Sequence, residues 1–322
     1  MGFERKIDPS AELAARIEHI EAKRFVQHSR AKGYLDKFEE LLTTKKPKFY
    51  LVTGVSGSGK SELAEQFIRN HPVDMHGTPD AAILPAIHAT MPEKGSLSEF
   101  GEEILDAMMH ESTSSTTAME KMRMARKLTK SLNVKVVFLD EIQHLSPTRR
   151  INVVARHLSL GGPINREQVR NGLKRYLKEC GASVIALGIP EGLGIIHHEP
   201  QLRRHFKTLT LPAWQADEEG RSLLHKLETD FGLAKGAHIA HHETLSREVF
   251  DMAEGVLAHV VEILQDAAIV AVKTGTEQIT REIIRSLGWV KHSDACRIAA
   301  AQAGISPTLV GIDRRKKRGM RA

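Results

Sequence analysis

The sequence predicts an α/β protein in which a mostly parallel sheet is sandwiched by helices and followed by a small all-helical region. Three observations predict it. Apolar runs at 49–52, 81–89, 134–139, 183–187 and 206–211 alternate with segments of helical periodicity. The first run stops at a glycine-rich turn that leads directly into a helical pattern. Beyond Pro212 only helical patterns remain. Strands separated by helices are joined by crossovers rather than hairpins, which makes them parallel and buries them on both faces.

In chain order, residues 10–44 read as two polar helices broken near Lys32-Gly33, with Leu13, Ile17 and Ile20 on one face and Phe25, Tyr34, Leu35, Phe38, Leu41 and Leu42 further along. The strand 49–52 and its loop feed a helix at 61–69, closed by Asn70-His71-Pro72. After 81–89 a helix at 96–109 opens on Ser96 and Glu99, a capping-box pair. A Ser/Thr-rich stretch at 111–117 leads to a basic helix at 119–132. The strand 134–139 ends at Asp140-Glu141, and a polar, basic connection at 147–165 precedes a helix at 166–179. Helices are expected at 217–231, 243–253, 256–273 and 280–287, then an Ala-rich helix and the run Asp313-Arg314-Arg315-Lys316-Lys317-Arg318. This organisation implies a helical cap at 1–44, an α/β domain at 45–212, a helical lid at 213–290 and a basic tail at 291–322.

At roughly 150 residues per domain, 322 residues suggest about two domains, and 41% apolar residues can fill their cores, which argues against disorder. The net charge of +6 makes nucleic acid a candidate partner. Residues 291–322 hold eight basic and two acidic residues, so they carry all of that excess and the first 290 are balanced. Two cysteines, Cys180 and Cys296, fit a reducing cytoplasm and exclude a disulfide framework. Adjacent pairs such as His197-His198 and His241-His242 point apart and lack metal-site spacing. The start, MGFERKIDPS, has no apolar signal core, and no run approaches the roughly 20 apolar residues of a membrane span, so a cytoplasmic protein is expected.

Residues Gly54-Val55-Ser56-Gly57-Ser58-Gly59-Lys60-Ser61 satisfy the phosphate-loop pattern G-x-x-x-x-G-K-[ST]. Between a strand and a helix, such a loop lets backbone N–H groups and the positive helix end wrap a polyphosphate. Lys60 would reach the terminal phosphates, and the Ser61 hydroxyl would ligate Mg²⁺. An apolar strand ending at Asp140-Glu141 brings one carboxylate to the Mg²⁺ shell and places Glu141 to polarise an attacking water. ATP with Mg²⁺ is therefore the expected cofactor pair and ATP hydrolysis the expected activity.

The Asp-Glu pair with a helical lid after the sheet resembles the AAA+ P-loop ATPases. His88-Ala89-Thr90-Met91-Pro92, Asp140 to Leu145, Ala186 to Glu191, Gln201 to Phe206, Leu211-Pro212-Ala213-Trp214 and Gly275 to Thr280 resemble the TniB/TnsC-type ATPases of bacterial transposons. That resemblance spans roughly residues 30 to 290. It implies a regulator that assembles on double-stranded DNA as a ring or filament of identical subunits, links a target-selection protein to the transposase, and disassembles on hydrolysis. It also implies an arginine acting on a neighbour's γ-phosphate, for which Arg203 and Arg204 are the candidates, although His205 stands where the family's arginine precedes the phenylalanine. Ile189 replaces the family's usual threonine, and no arginine occurs in the lid segment 255–259. Slow, timer-like hydrolysis is the consequence expected.

Residues 120–135 hold six basic residues and one acid, a local excess suited to phosphate contacts. The resemblance puts DNA-facing elements between the second strand and the Asp-Glu pair. Lys121 and Arg123 with Thr116 and Thr117 are the main candidates, followed by Arg149 and Arg150. The tail suits docking on a transposase or on DNA phosphates; a helix-turn-helix there would have a very short reading helix after Pro307. Two other readings stay open: an initiator- or loader-type ATPase remodelling another complex, and a nucleotide-gated signalling module without DNA.

Overall fold

The computed structural model describes residues 9–73, 83–93, 96–113, 115–145, 166–198 and 200–302. Its elements run α1 (Pro9–Glu21), α2 (Ser29–Glu39), β1 (Phe49–Thr53), α3 (Lys60–Asn70), β2 (Ala86–Thr90), α4 (Leu97–Asp106), α5 (Ala118–Ser131), β3 (Val136–Asp140), α6 (Arg166–Glu179) and β4 (Ser183–Gly188). They continue with α7 (Leu193–His198), α8 (Pro200–Arg203), β5 (Phe206–Thr210), α9 (Glu218–Asp230), α10 (Glu243–Met252), α11 (Leu257–Lys273), α12 (Arg281–Ser286) and α13 (His292–Gln302). Two compact units result: residues 29–212 form one, and the described residues before 29 join those from 213 onward in the other.

In the α/β unit five parallel strands lie in the order β2-β3-β4-β1-β5. Every residue of β3 and β4 is buried, which is why these strands read as unbroken apolar runs rather than alternating ones. The outer strand β5 exposes Lys207 and Thr208. One face packs Phe38 of α2, Phe67 of α3 and Phe138 edge to face, with ring centroids 5.5 to 6.1 Å apart. On the other, Phe100, Ile104, Met122, Leu173 and Tyr176 from α4, α5 and α6 cover Val137, Leu139 and Val184. This is the helix-sandwiched parallel sheet that the alternation predicts. Its register sets Thr53 beside Gly188 and Thr90 beside Asp140, so the loops leaving the carboxyl ends of β1, β3 and β4 meet at one edge, the usual ligand position in open α/β sheets.

The N-terminal break falls at residues 22–28, whereas the sequence suggests Lys32-Gly33. Gly33 lies inside α2 because burying Leu35 and Phe38, at about 1.5–3 kcal/mol each, outweighs the roughly 1 kcal/mol that glycine costs a helix. Consequently α2 belongs to the α/β unit, while Ile20 of α1 enters the core of the helical unit.

The helical unit buries Ile20, Trp214, Leu224, Phe250, Ile263, Ala267 and Ile284 in one cluster around α11. Arg16 of α1 forks onto Glu277, its two guanidinium nitrogens donating at 2.8 and 2.7 Å. Glu228, buried to 1% exposure, accepts backbone N–H bonds from His238, Ile239 and Ala240 at 2.9, 3.0 and 3.1 Å, holding the short turn Ile239–His241. Among the described residues no single helix is long and apolar enough to cross a membrane.

Candidate nucleotide site

The glycine-rich loop opens where β1 ends. A side chain at Gly54 would collide with Ser58 Oγ at 2.6 Å and with Leu211 at 3.1 Å, so only glycine lets the chain pass there. Gly59 takes φ +91° immediately before α3, a left-handed conformation that costs glycine nothing. Since no side chain caps α3, its first backbone N–H groups stay available to an anion. Lys60 is buried, and its ammonium donates to the carbonyls of Gly54 and Val55 at 2.9 Å each, within the loop's own curve. Burial lowers the Lys60 pKa, and the nearby carboxylates of Asp140 and Glu141 pull it back only in part.

The second motif faces the first. Ser61 Oγ donates to Asp140 Oδ2, while Asp140 Oδ1 accepts the Glu141 N–H at 2.7 Å. Nε2 of His88, on β2, lies 3.4 Å from Asp140 Oδ2, close enough for an ion pair but without hydrogen-bond alignment. Burial pushes the Asp140 carboxyl up; His88, the Ser61 hydroxyl and the Glu141 N–H together outweigh it and hold the group below its ordinary range. A hydroxyl and an ionised carboxylate in contact at the mouth of an anion-binding loop are two hard oxygen donors, which fits Mg²⁺ beside a polyphosphate.

Glu141 has a left-handed backbone, φ +55°, which turns its carboxylate out of the line of β3. Gln143 Nε2 donates to Glu141 Oε2. His144 is fixed by a 2.8 Å hydrogen bond between its Nδ1 and the Met91 carbonyl, leaving Nε2 4.0 Å from the same Glu141 oxygen. Nothing in the spacing alone singles out His88 or Gln143, because their relevance comes from strand register and from a short 3-10 turn at Ile142–Leu145.

Val55, Ser56, Gly57, Ser58 and Gly59 form the loop as expected from the motif, with Val55 exposed at its rim. Arg203 and Arg204 are both exposed at the end of α8, away from any described ion pair. The residues expected to face DNA separate. Arg123 is exposed on α5, but Lys121 is only 3% exposed, with its ammonium donating to Ser98 Oγ at 3.0 Å and ion-paired with Glu102. Thr117 caps α5 in a reciprocal box with Glu120, and the Thr116 hydroxyl pairs with Thr113 at 2.9 Å. Arg126, of the same basic run, is buried against Glu179. A helical repeat explains the split: 121, 122, 125, 126 and 129 turn inward, while 123, 127 and 130 turn outward. Arg149, Arg150 and the basic run from Asp313 lie outside the described residues.

A parallel sheet in the order β2-β3-β4-β1-β5 with this loop after β1 has the AAA+ P-loop fold, and solved structures share it. The ORC1 protein of Aeropyrum pernix, solved in complex with DNA, superposes with a TM-score of 0.56 at 16% identity over 89% of this chain and 72% of its own. Cdc6p from Pyrobaculum aerophilum gives 0.56 at 13% identity, covering 84% of this chain and 69% of its own. Drosophila ORC bound to DNA gives 0.55 at 12% identity, covering 95% and 77%. No curated protein matches the chain in sequence. The model of the bacterial TniB protein family matches residues 16–216, and the chain belongs to that family.

Proposed function

We propose that the protein is an ATP- and Mg²⁺-dependent regulator of DNA transposition that assembles as a homo-oligomeric ring or filament on duplex DNA and connects a target-selection protein to the transposase. The observation that carries the reading is the Ser61–Asp140 contact, which joins the two nucleotide motifs, in a chain of the TniB family. Gly54 to Ser61 hold the phosphates of ATP, with Lys60 exchanging its loop carbonyls for phosphate oxygens. Bound Mg²⁺, held by Ser61 and Asp140, supplies electrostatic stabilisation of the transferring phosphoryl group. Glu141 accepts the proton of the attacking water. Arg203 or Arg204 reaches the γ-phosphate bound by a neighbouring subunit, and hydrolysis is slow and regulatory.

Duplex contact is proposed at the start of α5, through exposed Arg123 with Thr116 and Thr117, together with Arg149 and Arg150. Lys121 contributes only where Ser98 and Glu102 release it. The likeness to ORC1 solved with DNA supports a second reading, an initiator- or loader-type ATPase remodelling another complex. Electron microscopy of the full chain with duplex DNA, with and without a nonhydrolysable ATP analogue, separates them. Nucleotide-dependent assemblies that extend along nonspecific duplex support the regulator, whereas discrete closed rings that do not extend along it favour the second reading. Arg123→Glu is expected to weaken duplex binding and flatten its salt dependence by about one unit of log–log slope. An unchanged slope removes Arg123 from the contact.

A further inference from the structure

The side-chain amide of Gln143 is committed at both ends. Its nitrogen donates to the Glu141 carboxylate, and its oxygen accepts the backbone N–H of Ile189 at 3.3 Å, just beyond β4. An amide held by an acceptor on one side and a donor on the other has one orientation only, because flipping it would set oxygen against oxygen and nitrogen against nitrogen. Gln143 therefore fixes Glu141 Oε2 and leaves the other carboxylate oxygen to accept a further hydrogen bond.

The surroundings are built around this arrangement. A side chain at Gly188 would meet Ile142 at 2.5 Å and the Gln143 amide oxygen at 2.9 Å, so the end of β4 must be bare for the Ile142–Leu145 turn to seat there. At Gly192 a Cβ would again meet Ile142, at 3.1 Å. Glu141 itself sits at φ +55°, a conformation unfavourable for a non-glycine residue that persists only where neighbours hold it. At the end of β4 the side chain is isoleucine, which has no polar atom to offer. Among the described residues, a polar link between that strand end and Glu141 runs from the Ile189 backbone through Gln143.

The geometry points to Gln143 as the positioning residue for the hydrolytic base: it holds the Glu141 carboxylate in register with the end of β4, a task for which residue 189 has no side-chain group. This inference rests on the reading of Glu141 as the base. A carboxylate held by one fixed hydrogen bond spends less of its free energy on orientation when it takes a proton, so loss of the link should appear in turnover and not in nucleotide affinity.

The test measures steady-state ATP turnover at saturating ATP and Mg²⁺, and separately the dissociation constant of a fluorescent ATP analogue, for the full-length chain. Gln143→Ala and Gln143→Glu are compared with wild type and with Glu141→Gln. The glutamate keeps the size of Gln143 and an acceptor for the Ile189 N–H but cannot donate to Glu141 once ionised, so it separates hydrogen bonding from space filling. Both Gln143 variants are expected to lose at least tenfold in kcat with the dissociation constant within twofold of wild type. Unchanged or increased turnover in either variant overturns the inference, and so does a parallel loss of nucleotide affinity, which would make Gln143 a structural residue. If Glu141→Gln hydrolyses ATP as fast as wild type, it is the parent reading of Glu141 that fails, and this inference falls with it.

Discussion

Ser61 and Asp140, 79 residues apart in the chain, share a hydrogen bond from the first turn of α3 to the end of β3. That bond converts two sequence motifs into one site. The groups on either side of it stand apart: the Lys60 ammonium lies on the loop carbonyls of Gly54 and Val55, and Glu141 just beyond the strand end.

Binding and hydrolysis should therefore separate by mutation. Lys60→Ala removes a charge-assisted contact worth about 1.5–3 kcal/mol, so ATP affinity should fall roughly 10- to 100-fold in a direct titration. Glu141→Gln should leave affinity within a few-fold while phosphate release drops about 10²- to 10⁴-fold. Equal effects of the two substitutions on affinity would contradict the assigned division of roles.

Arg203 and Arg204 are both exposed, so neither should matter to an isolated subunit's affinity for ATP. If one reaches a neighbour's phosphates, its alanine variant should lose about 10³-fold or more in assembled-state turnover. Mixing that variant with Glu141→Gln should restore activity, because an intact Glu141 and an intact arginine then meet across one junction. Failure of both alanine variants to change turnover would remove this segment from the mechanism.

Acid should loosen the helical unit through Glu277. Its fork with Arg16 holds the carboxyl at about 2, against an ordinary value of 4.5. A folded-state pKa below the unfolded one stabilises fully above about pH 4.5, and that contribution is lost as pH falls from there toward 2. Both side chains are partly exposed, at 35% and 20%, so solvent screening leaves roughly 1 kcal/mol or less. Arg16→Met should accordingly lower the melting temperature at pH 6 and shrink its gap from wild type near pH 3. A constant gap across that range would show that the fork contributes no linkage.

Glu228 should be among the costliest substitutions outside the nucleotide site. Glu228→Ala strands three backbone donors, two of them in buried hydrogen bonds, and should destabilise by about 3–5 kcal/mol in denaturant titration. Glu228→Gln keeps one acceptor oxygen and should cost less. A loss below about 1 kcal/mol for the alanine variant would mean that water replaces the carboxylate.

Much of the fold was legible because its signals are local. Gly54 to Ser61 specify a turn by backbone freedom, β3 announces itself as an apolar run, and α6 occupies 166–179 as its periodicity predicts. The basic helix shows where local reading stops. Composition counts Lys121 and Arg123 alike, yet a rotation of about 200° around the helix buries one against Glu102 and exposes the other. The helix break at 22–28 escaped for a similar reason, since the pull of Phe38 into the α/β core is invisible beside a nearby glycine.

By itself the sequence determined the phosphate loop, the Asp-Glu strand end, the order of strands and helices along the chain and the family resemblance. Each of these is written in residues close together, where spacing and backbone preference act directly. Tertiary structure decided which cations are spent inside the protein, that α1 joins the helical unit, and that Gln143 links Glu141 to β4. Those outcomes depend on strand register and helix rotation, which bring residues tens of positions apart into hydrogen-bonding distance and which no local pattern encodes.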